Sequence, residues 1–212
     1  MEKFGVSSAT IHRDAEELAK RDAVERVRGG LVYKDAPGPN GNFDAYQERV
    51  VTHRAEKVAA AKKALSAIEE GDILFLDSST TTYELALLLV RSDFDHLTII
   101  TNSIAVMHLF GKMPPHWSMI ALGGNYDPQL NSILGASAIE QLSRFNITKA
   151  FVSAFGLDDK TATTNHERQA EILKKVLDTA DRRYLIIDRS KMKRKGLYRI
   201  AARGGFDEII SD

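Results

Sequence analysis

From Ile73 onward the chain repeats one pattern: a short apolar run, a small or polar turn, then apolar residues at helical spacing. Ile73-Leu74-Phe75-Leu76 leads into Asp77-Ser78-Ser79-Thr80-Thr81-Thr82 and then into Tyr83–Val90, rich in leucine and alanine. Leu97-Thr98-Ile99-Ile100 leads into Thr101-Asn102-Ser103 and the helical pattern Ile104–Phe110. Ser118–Leu122 meets Gly123-Gly124-Asn125, a long loop, and a helix over Ala136–Leu142. Ala150-Phe151-Val152 runs into Ser153-Ala154-Phe155-Gly156, and Tyr184-Leu185-Ile186-Ile187 into Asp188-Arg189-Ser190-Lys191. Glu208-Ile209-Ile210 is the last such run. Continuous apolar runs, rather than alternating ones, mark strands buried on both faces. Gln47–Glu69, alanine-rich and free of Gly and Pro, predicts one long helix before the first of these strands.

Strands alternating with amphipathic helices predict an α/β fold with a Rossmann-like, mainly parallel sheet. Ahead of it, Lys34–Asn42 holds two of the five prolines and two of the fourteen glycines, so it reads as a linker. The residues before that linker are too few to bury a core of their own. Ser7 is placed to cap a helix whose apolar stripe is Ile11, Ala15, Leu18 and Ala19. Val24–Tyr33 then reads as a hairpin around Gly29-Gly30. A helix that enters a groove, followed by a basic hairpin, is the layout of a winged helix-turn-helix. A generic helical appendage fits the same spacing. The division expected is a partial winged helix-turn-helix over 1–34, a linker over 35–44 and an α/β sensor over 45–212. Ser7, Ser8, Thr10, His12 and Arg13 on the helix, with Arg26 and Arg28 on the wing, are the candidate DNA contacts.

Composition narrows the function classes. Hydrophobic residues at 43% and charged residues at 27% are ordinary for a globular chain. Twenty-nine basic residues balance twenty-nine acidic ones, which excludes a uniformly basic nucleic-acid coat and leaves room for a local basic face. Without cysteine there is no disulfide, thiolate nucleophile or Cys-based zinc site. None of the six histidines has zinc-motif spacing, so neither a metal nor a cofactor is expected. The apolar runs fall short of the ~20 residues of a membrane span. The start, Met1 to Gly5, has no signal-peptide core. A soluble cytoplasmic protein with no membrane partner is the expectation.

The candidate chemistry lies where the strands end, because open α/β sheets bind ligands beyond their carboxyl ends. Asp77–Thr82 is one acid followed by five hydroxyl residues entering a helix N-terminus, a site suited to phosphate. Plain capping by Ser78 or Thr80 is the competing reading. Gly123-Gly124 lacks the spacing of a dinucleotide fingerprint or a P-loop. His166-Glu167 opens a helix, as a surface pair or a ligand contact. The stretch from Arg182 to Arg203 is basic, and Lys191, just after a strand end, is placed to meet a phosphate as a point charge. The candidate effector pocket is therefore Asp77, Ser78, Ser79, Thr80, Thr81, Thr82, Thr101, Asn102, Ser103, Gly123, Gly124, Gly156, His166, Glu167 and Lys191.

Val6–Asp14 with Leu18, and Arg26-Val27-Arg28-Gly29-Gly30, together resemble the DNA helix and wing of the DeoR family of repressors. Asp77–Thr82, Thr101-Asn102-Ser103, Gly123-Gly124, Gly135, Phe151, Gly156 and Asp188–Lys191 resemble that family's sugar-phosphate sensor. The resemblance implies a transcriptional regulator of a carbohydrate operon, a repressor and not an enzyme. It also implies double-stranded operator DNA and a phosphorylated sugar as partners, in a dimer or tetramer. Its sensor fold is Rossmann-like and related to ribose-5-phosphate isomerases and CoA transferases. The chain departs from the family pattern at His12, usually Arg, at Arg28, usually His, at Thr148, usually Asp, and at Ser79, usually Gly. If that glycine takes a positive φ, Ser79 is strained. The sequence opens almost inside the recognition helix, so Met1 to about Tyr33 are expected to pack loosely and the linker to be cut readily by protease. Two other readings stay open. One is an isomerase with Asp77 or Glu167 as base and Lys191 steadying an enediolate. The other is a sensor module that has lost DNA binding.

Overall fold

The computed structural model describes residues 24–27, 30–33 and 42–212, and the chain divides into two units, residues 1–41 and 42–212. The Ser7–Leu18 helix, residues 35–41 of the expected linker and the side chains of the seven candidate DNA contacts lie outside the described residues, whereas residues 42–44, also expected as linker, are helical. In the first unit β1 (Val24–Val27) and β2 (Gly30–Tyr33) pair antiparallel, Val24 opposite Tyr33 and Val27 opposite Gly30. This is the hairpin expected around Gly29-Gly30.

The second unit is built on six parallel strands: β3 (Ile73–Leu76), β4 (Thr98–Thr101), β5 (Ser118–Ala121), β8 (Ile147–Val152), β11 (Ala180–Ile186) and β13 (Glu208–Ile210). They lie in the order β13-β11-β8-β3-β4-β5, every neighbouring pair parallel. The chain builds outward from β3 through β4 to β5, then returns to the other side of β3 and builds outward again. The order therefore reverses between β3 and β8.

Strand residues alternate between two cores, as a pleated strand requires. Phe75 and Ile100 join one core with Ile172, Leu173 and Val176 of α6 (Glu167–Thr179) and Leu142 of α5 (Ala136–Leu142). Leu74, Leu76 and Ile99 join the other, with Ala60, Ala61 and Ala64 of α2 (Arg54–Leu65) and Leu85, Ala86 and Leu89 of α3 (Thr80–Leu89). The alanine stripe brings α2 close against the sheet. Val106 of α4 (Ile104–Met107) completes that layer, and the Phe151 and Tyr184 rings stack 4.7 Å apart within it.

Three expectations need correction. Gln47–Glu69 is not one helix: α1 (Asn42–Val51) ends before Thr52-His53, and α2 starts after His53, which is left-handed at φ 53°. The β-branched run Val50-Val51-Thr52 weakens the helix there. The loop before α5 holds a small antiparallel pair, β6 (Asn125–Asp127) and β7 (Ser132–Leu134). A three-stranded antiparallel sheet, β12-β10-β9, also stands apart from the main sheet, formed by β9 (Gly156–Leu157), β10 (Thr161–Thr164) and β12 (Tyr198–Ala202). Its strands are short, and Thr161-Ala162-Thr163-Thr164 has no apolar run to announce it.

Candidate functional site

At the order reversal, the crossovers that leave β3 and β8 head to opposite sides and open a crevice beyond the two strand ends. A cleft of about 450 Å³ lies there. Ser79 and Thr80 line it from the β3 end, Ser153, Ala154 and Phe155 from the β8 end, and Asp188, Ser190 and Lys191 from the β11 end. Thr164, Asn165, His166 and Gln169 close one wall, and Ala45, Arg49, Thr52, His53 and Lys57 of the broken α1–α2 segment close another.

Asp77 is the staple beneath it. Its Oδ1 accepts the Ser79 N–H at 2.9 Å and the Thr82 hydroxyl, and its Oδ2 accepts the Ser153 N–H at 2.8 Å. One buried carboxylate thereby ties the loop after β3 to the loop after β8. Burial holds its pKa above the usual carboxylate range, outweighing the Thr82 hydroxyl and the Ser153 and Ser79 N–H groups, which lower it. Being wholly enclosed, Asp77 sets the loop and does not line the cleft.

Ser79, where the family usually has glycine, has φ −74°, so it is unstrained. Its hydroxyl accepts the Thr82 N–H at 3.1 Å and caps α3. Helix geometry gives the N–H groups of Thr80 and Thr81 no acceptor within α3. Thr80 lines the cleft; Ser78, Thr81 and Thr82 are buried behind it.

The other candidates divide. His166 and Lys191 line the cleft, whereas Glu167 is exposed beside it. Thr101, Asn102 and Ser103 are buried and bind other chain segments: the Thr101 hydroxyl donates to the Leu76 carbonyl at 2.7 Å, and the Asn102 amide donates to the Ser132 hydroxyl at 2.9 Å. Ser103 caps α4. The Gln141 side chain clasps both ends of Gly123, and a Cβ on Gly124 would lie 2.6 Å from the Leu134 carbonyl oxygen. A Cβ on Gly156 would sit 2.3 Å from the Arg194 carbonyl oxygen, so this glycine lets the loop that carries Arg194 close on the cleft. These positions shape the fold around the site without lining it. The ends of β4 and β5 lie on the far side of β3 from the crevice, a separation that strand order alone determines.

The cleft's electrostatics are one-sided. Arg49, His53, Lys57, His166, Lys191 and Arg194 line it against a single carboxylate, Asp188. Asp188 is committed to Lys191, 3.3 Å away, and to the Ser190 hydroxyl. Burial works against its ionisation, but Lys191 and Ser190 outweigh it and hold the carboxyl below the usual range. Burial, then the neighbouring Lys191 charge, pushes the Lys57 ammonium down to about 8. Burial likewise lowers the Arg49 guanidinium. The Ser153 hydroxyl is buried at the wall with no hydrogen-bond partner among the described residues. Among those residues no His, Asp or Glu cluster is arranged to hold a metal ion, and no helix is long and apolar enough to cross a membrane.

Residues 52–212 match the model of the DeoR C terminal sensor domain, and residues 1–36 match the DeoR-like helix-turn-helix domain. The chain belongs to the DeoR family. The HTH-type transcriptional regulator IolR of Bacillus subtilis (strain 168) is 32% identical over 92% of this chain and 75% of its own length. The HTH-type transcriptional repressor GlcR of the same strain is 30% identical over 98% and 78%. Among solved structures, a chain of the tetrameric eIF2B-beta2-delta2 complex from C. thermophilum superposes with a TM-score of 0.52 at 10% identity. The match covers 79% of this chain and 58% of that one, a likeness of fold alone.

For this DeoR-family chain, the sequence reading missed Arg49, His53, Lys57, Ser153, Asn165, Gln169 and Arg194 at the cleft. A signal existed for Lys57, which interrupts the buried stripe Ala60-Ala61-Ala64 at helical spacing with a charge. Ser153 lies at the end of β8, and the others reach the cleft through the break at His53 and through the segments around the detached small sheet, which no periodicity marks.

Two outcomes follow. Asp77→Ala strands two buried N–H groups and should cost about 2–5 kcal/mol of unfolding free energy in urea; a loss below about 0.5 kcal/mol, the scale of a surface change, would contradict its role as staple. Lys57 releases its proton near pH 8 when folded but near 10.5 when unfolded, so the unfolded chain holds more protons between those values. Wild type should therefore gain roughly 2–3 kcal/mol relative to Lys57→Met as pH rises from 7 to 10.5. A flat difference would mean that Lys57 is not desolvated.

Proposed function

We propose that this transcriptional regulator senses a phosphorylated sugar in the cleft between β3 and β8 and alters its affinity for operator DNA in response. The observation that carries the reading is the excess of positive charge around a helix N-terminus at the order reversal of the sheet. A phosphate dianion there meets the N-terminal N–H groups of α3, the Thr80 hydroxyl and the cations of the wall. Hydroxyl and amide groups of Ser153, Asn165 and Gln169 supply the mixed donors and acceptors that a sugar requires. His166 and Lys191 keep their place among the contacts, while Asp77 acts through the loop it holds.

The helix-turn-helix match over residues 1–36 supports a DNA-contact role for Ser7, Ser8, Thr10, His12, Arg13, Arg26 and Arg28. Effector control of DNA affinity requires the effector to bind the DNA-competent and DNA-incompetent forms differently, in an oligomer that presents paired helices to the operator. Relatives named as a lactose phosphotransferase system repressor, 30% identical, and an L-fucose operon activator, 31% identical, support the reading of this chain as a regulator of a carbohydrate operon. An enzymatic reading needs a base over the ligand, and the two acids considered do not provide one. Asp77 is enclosed by its three donors, and Glu167 stands exposed outside the lining.

Fluorescence anisotropy on duplex DNA from upstream of the protein's own gene tests the reading. Binding should weaken as salt rises, through release of phosphate counterions. A panel of sugar phosphates should contain members that shift the affinity, while their unphosphorylated parents leave it unchanged. Thr80→Ala combined with Lys191→Met should remove the shift and spare DNA binding. Equal responses to phosphorylated and parent sugars, or an unaltered response in the double variant, would place the effector elsewhere.

A further inference from the structure

Among the described residues Lys57 and Lys149 are the buried cations, and Arg49 and Lys191 are half-buried. Lys149 lies 2.8 Å from both Glu69 and Asp72, and Lys191 lies 3.3 Å from Asp188. Arg49 and Lys57 have no carboxylate within ion-pair distance among the described side chains, although Lys57 is only 3% exposed. Their partners are carbonyls. Arg49 donates to Gln129 at 2.9 Å and to Ala45 at 3.1 Å, and its guanidinium lies 5.4 Å from the Tyr46 ring centre. The Lys57 ammonium donates to the Arg49 carbonyl in the last turn of α1, a cation at a helix C-terminus. A desolvated charge with no carboxylate in contact is costly, and both of these line the cleft.

The two cations stand on opposite sides of the His53 break, Arg49 on α1 and Lys57 on α2. Helix α2 is anchored by its alanine stripe, whereas α1 is held lightly. Of residues 45–51 only Tyr46 is buried, and Gln47, Glu48 and Val51 are exposed. The chain passes from the first unit into the second at residues 41 and 42, where α1 begins. Helix α1 is thus the segment of the second unit that directly follows the first along the chain.

We propose that Arg49 and Lys57 are effector-binding residues, that they share one anionic group of the effector across the His53 break, and that this contact locks helix α1. The proposal rests on the reading of the cleft as the effector site and adds its means of output. An anion shared by Arg49, Lys57 and Lys191 bridges the lightly held helix to the anchored one, so occupancy of the cleft becomes order in α1.

The experiment uses the full chain with inorganic phosphate as probe and chloride at matched ionic strength as control. Hydrogen exchange of the amides of residues 45–51 should slow several-fold in phosphate, while the strand amides stay unchanged. Arg49→Met and Lys57→Met should each raise the phosphate Kd by about tenfold, the scale of one charge-assisted contact. Arg49→Lys, which keeps charge and fold but not the planar fork, should fall between wild type and Arg49→Met. Unchanged affinity in both Met variants, or unchanged exchange in α1 at saturating phosphate, overturns this proposal and leaves the cleft standing if Thr80→Ala still weakens binding. Absence of phosphate binding to wild type, or binding indifferent to Thr80→Ala and Lys191→Met as well, overturns the reading of the cleft and this proposal with it.

Discussion

The reversal of strand order between β3 and β8 is the constraint on which the site depends. Parallel strands need crossovers, and a crossover covers the carboxyl end of the strand it leaves. Only where two neighbouring crossovers depart in opposite directions does a gap remain. Such a gap exposes loop backbone, whose N–H groups must be satisfied. Asp77 does this for both sides at once, holding Ser79 and Thr82 from one loop and Ser153 from the other. The start of α3, and with it Thr80, is placed by that bridge.

Charge then gives the gap its chemistry. The chain is neutral overall, yet its cations are not evenly answered by its anions. At the amino end of the sheet Lys149 is matched by Glu69 and Asp72, and Thr148 hydrogen-bonds to Asp72 at 2.9 Å. At the carboxyl end six basic side chains face one committed carboxylate. The neutral side chain of Thr148, where the family usually carries Asp, is absorbed into the structural cluster, far from the cleft's chemistry. The contrast between the two ends gives the sheet a polarity beyond that of its backbone and points an anionic ligand to one place.

How much of this was legible in the sequence depends on the range of the interaction concerned. Buried parallel strands and their helices leave runs and periods in the chain, so β3, β4, β5, β8, β11 and α3, α5 could be read directly. Strand order is a non-local property, and without it Thr101–Ser103 and Gly123-Gly124 looked equivalent to the ends of β3 and β8. In the folded chain Thr101 and Asn102 hydrogen-bond to neighbouring segments of the fold, whereas Ser79, Thr80 and Ser153 face the crevice. The wall from Arg49 to Lys57 was hidden by a helix-like composition whose break at His53 rests on one left-handed residue. Lys57 alone signalled itself, as a charge within an alanine stripe.

A crystal structure of the full chain with a sugar phosphate identified as altering its DNA affinity tests the position of the effector most directly. The phosphorus atom should lie at the N-terminus of α3, with its oxygens in hydrogen-bond reach of Thr80 and of the ammonium of Lys191. The sugar should extend toward Ser153 and Asn165. A phosphate bound beyond β4 and β5, near Thr101–Ser103 or Gly123-Gly124, would contradict this placement.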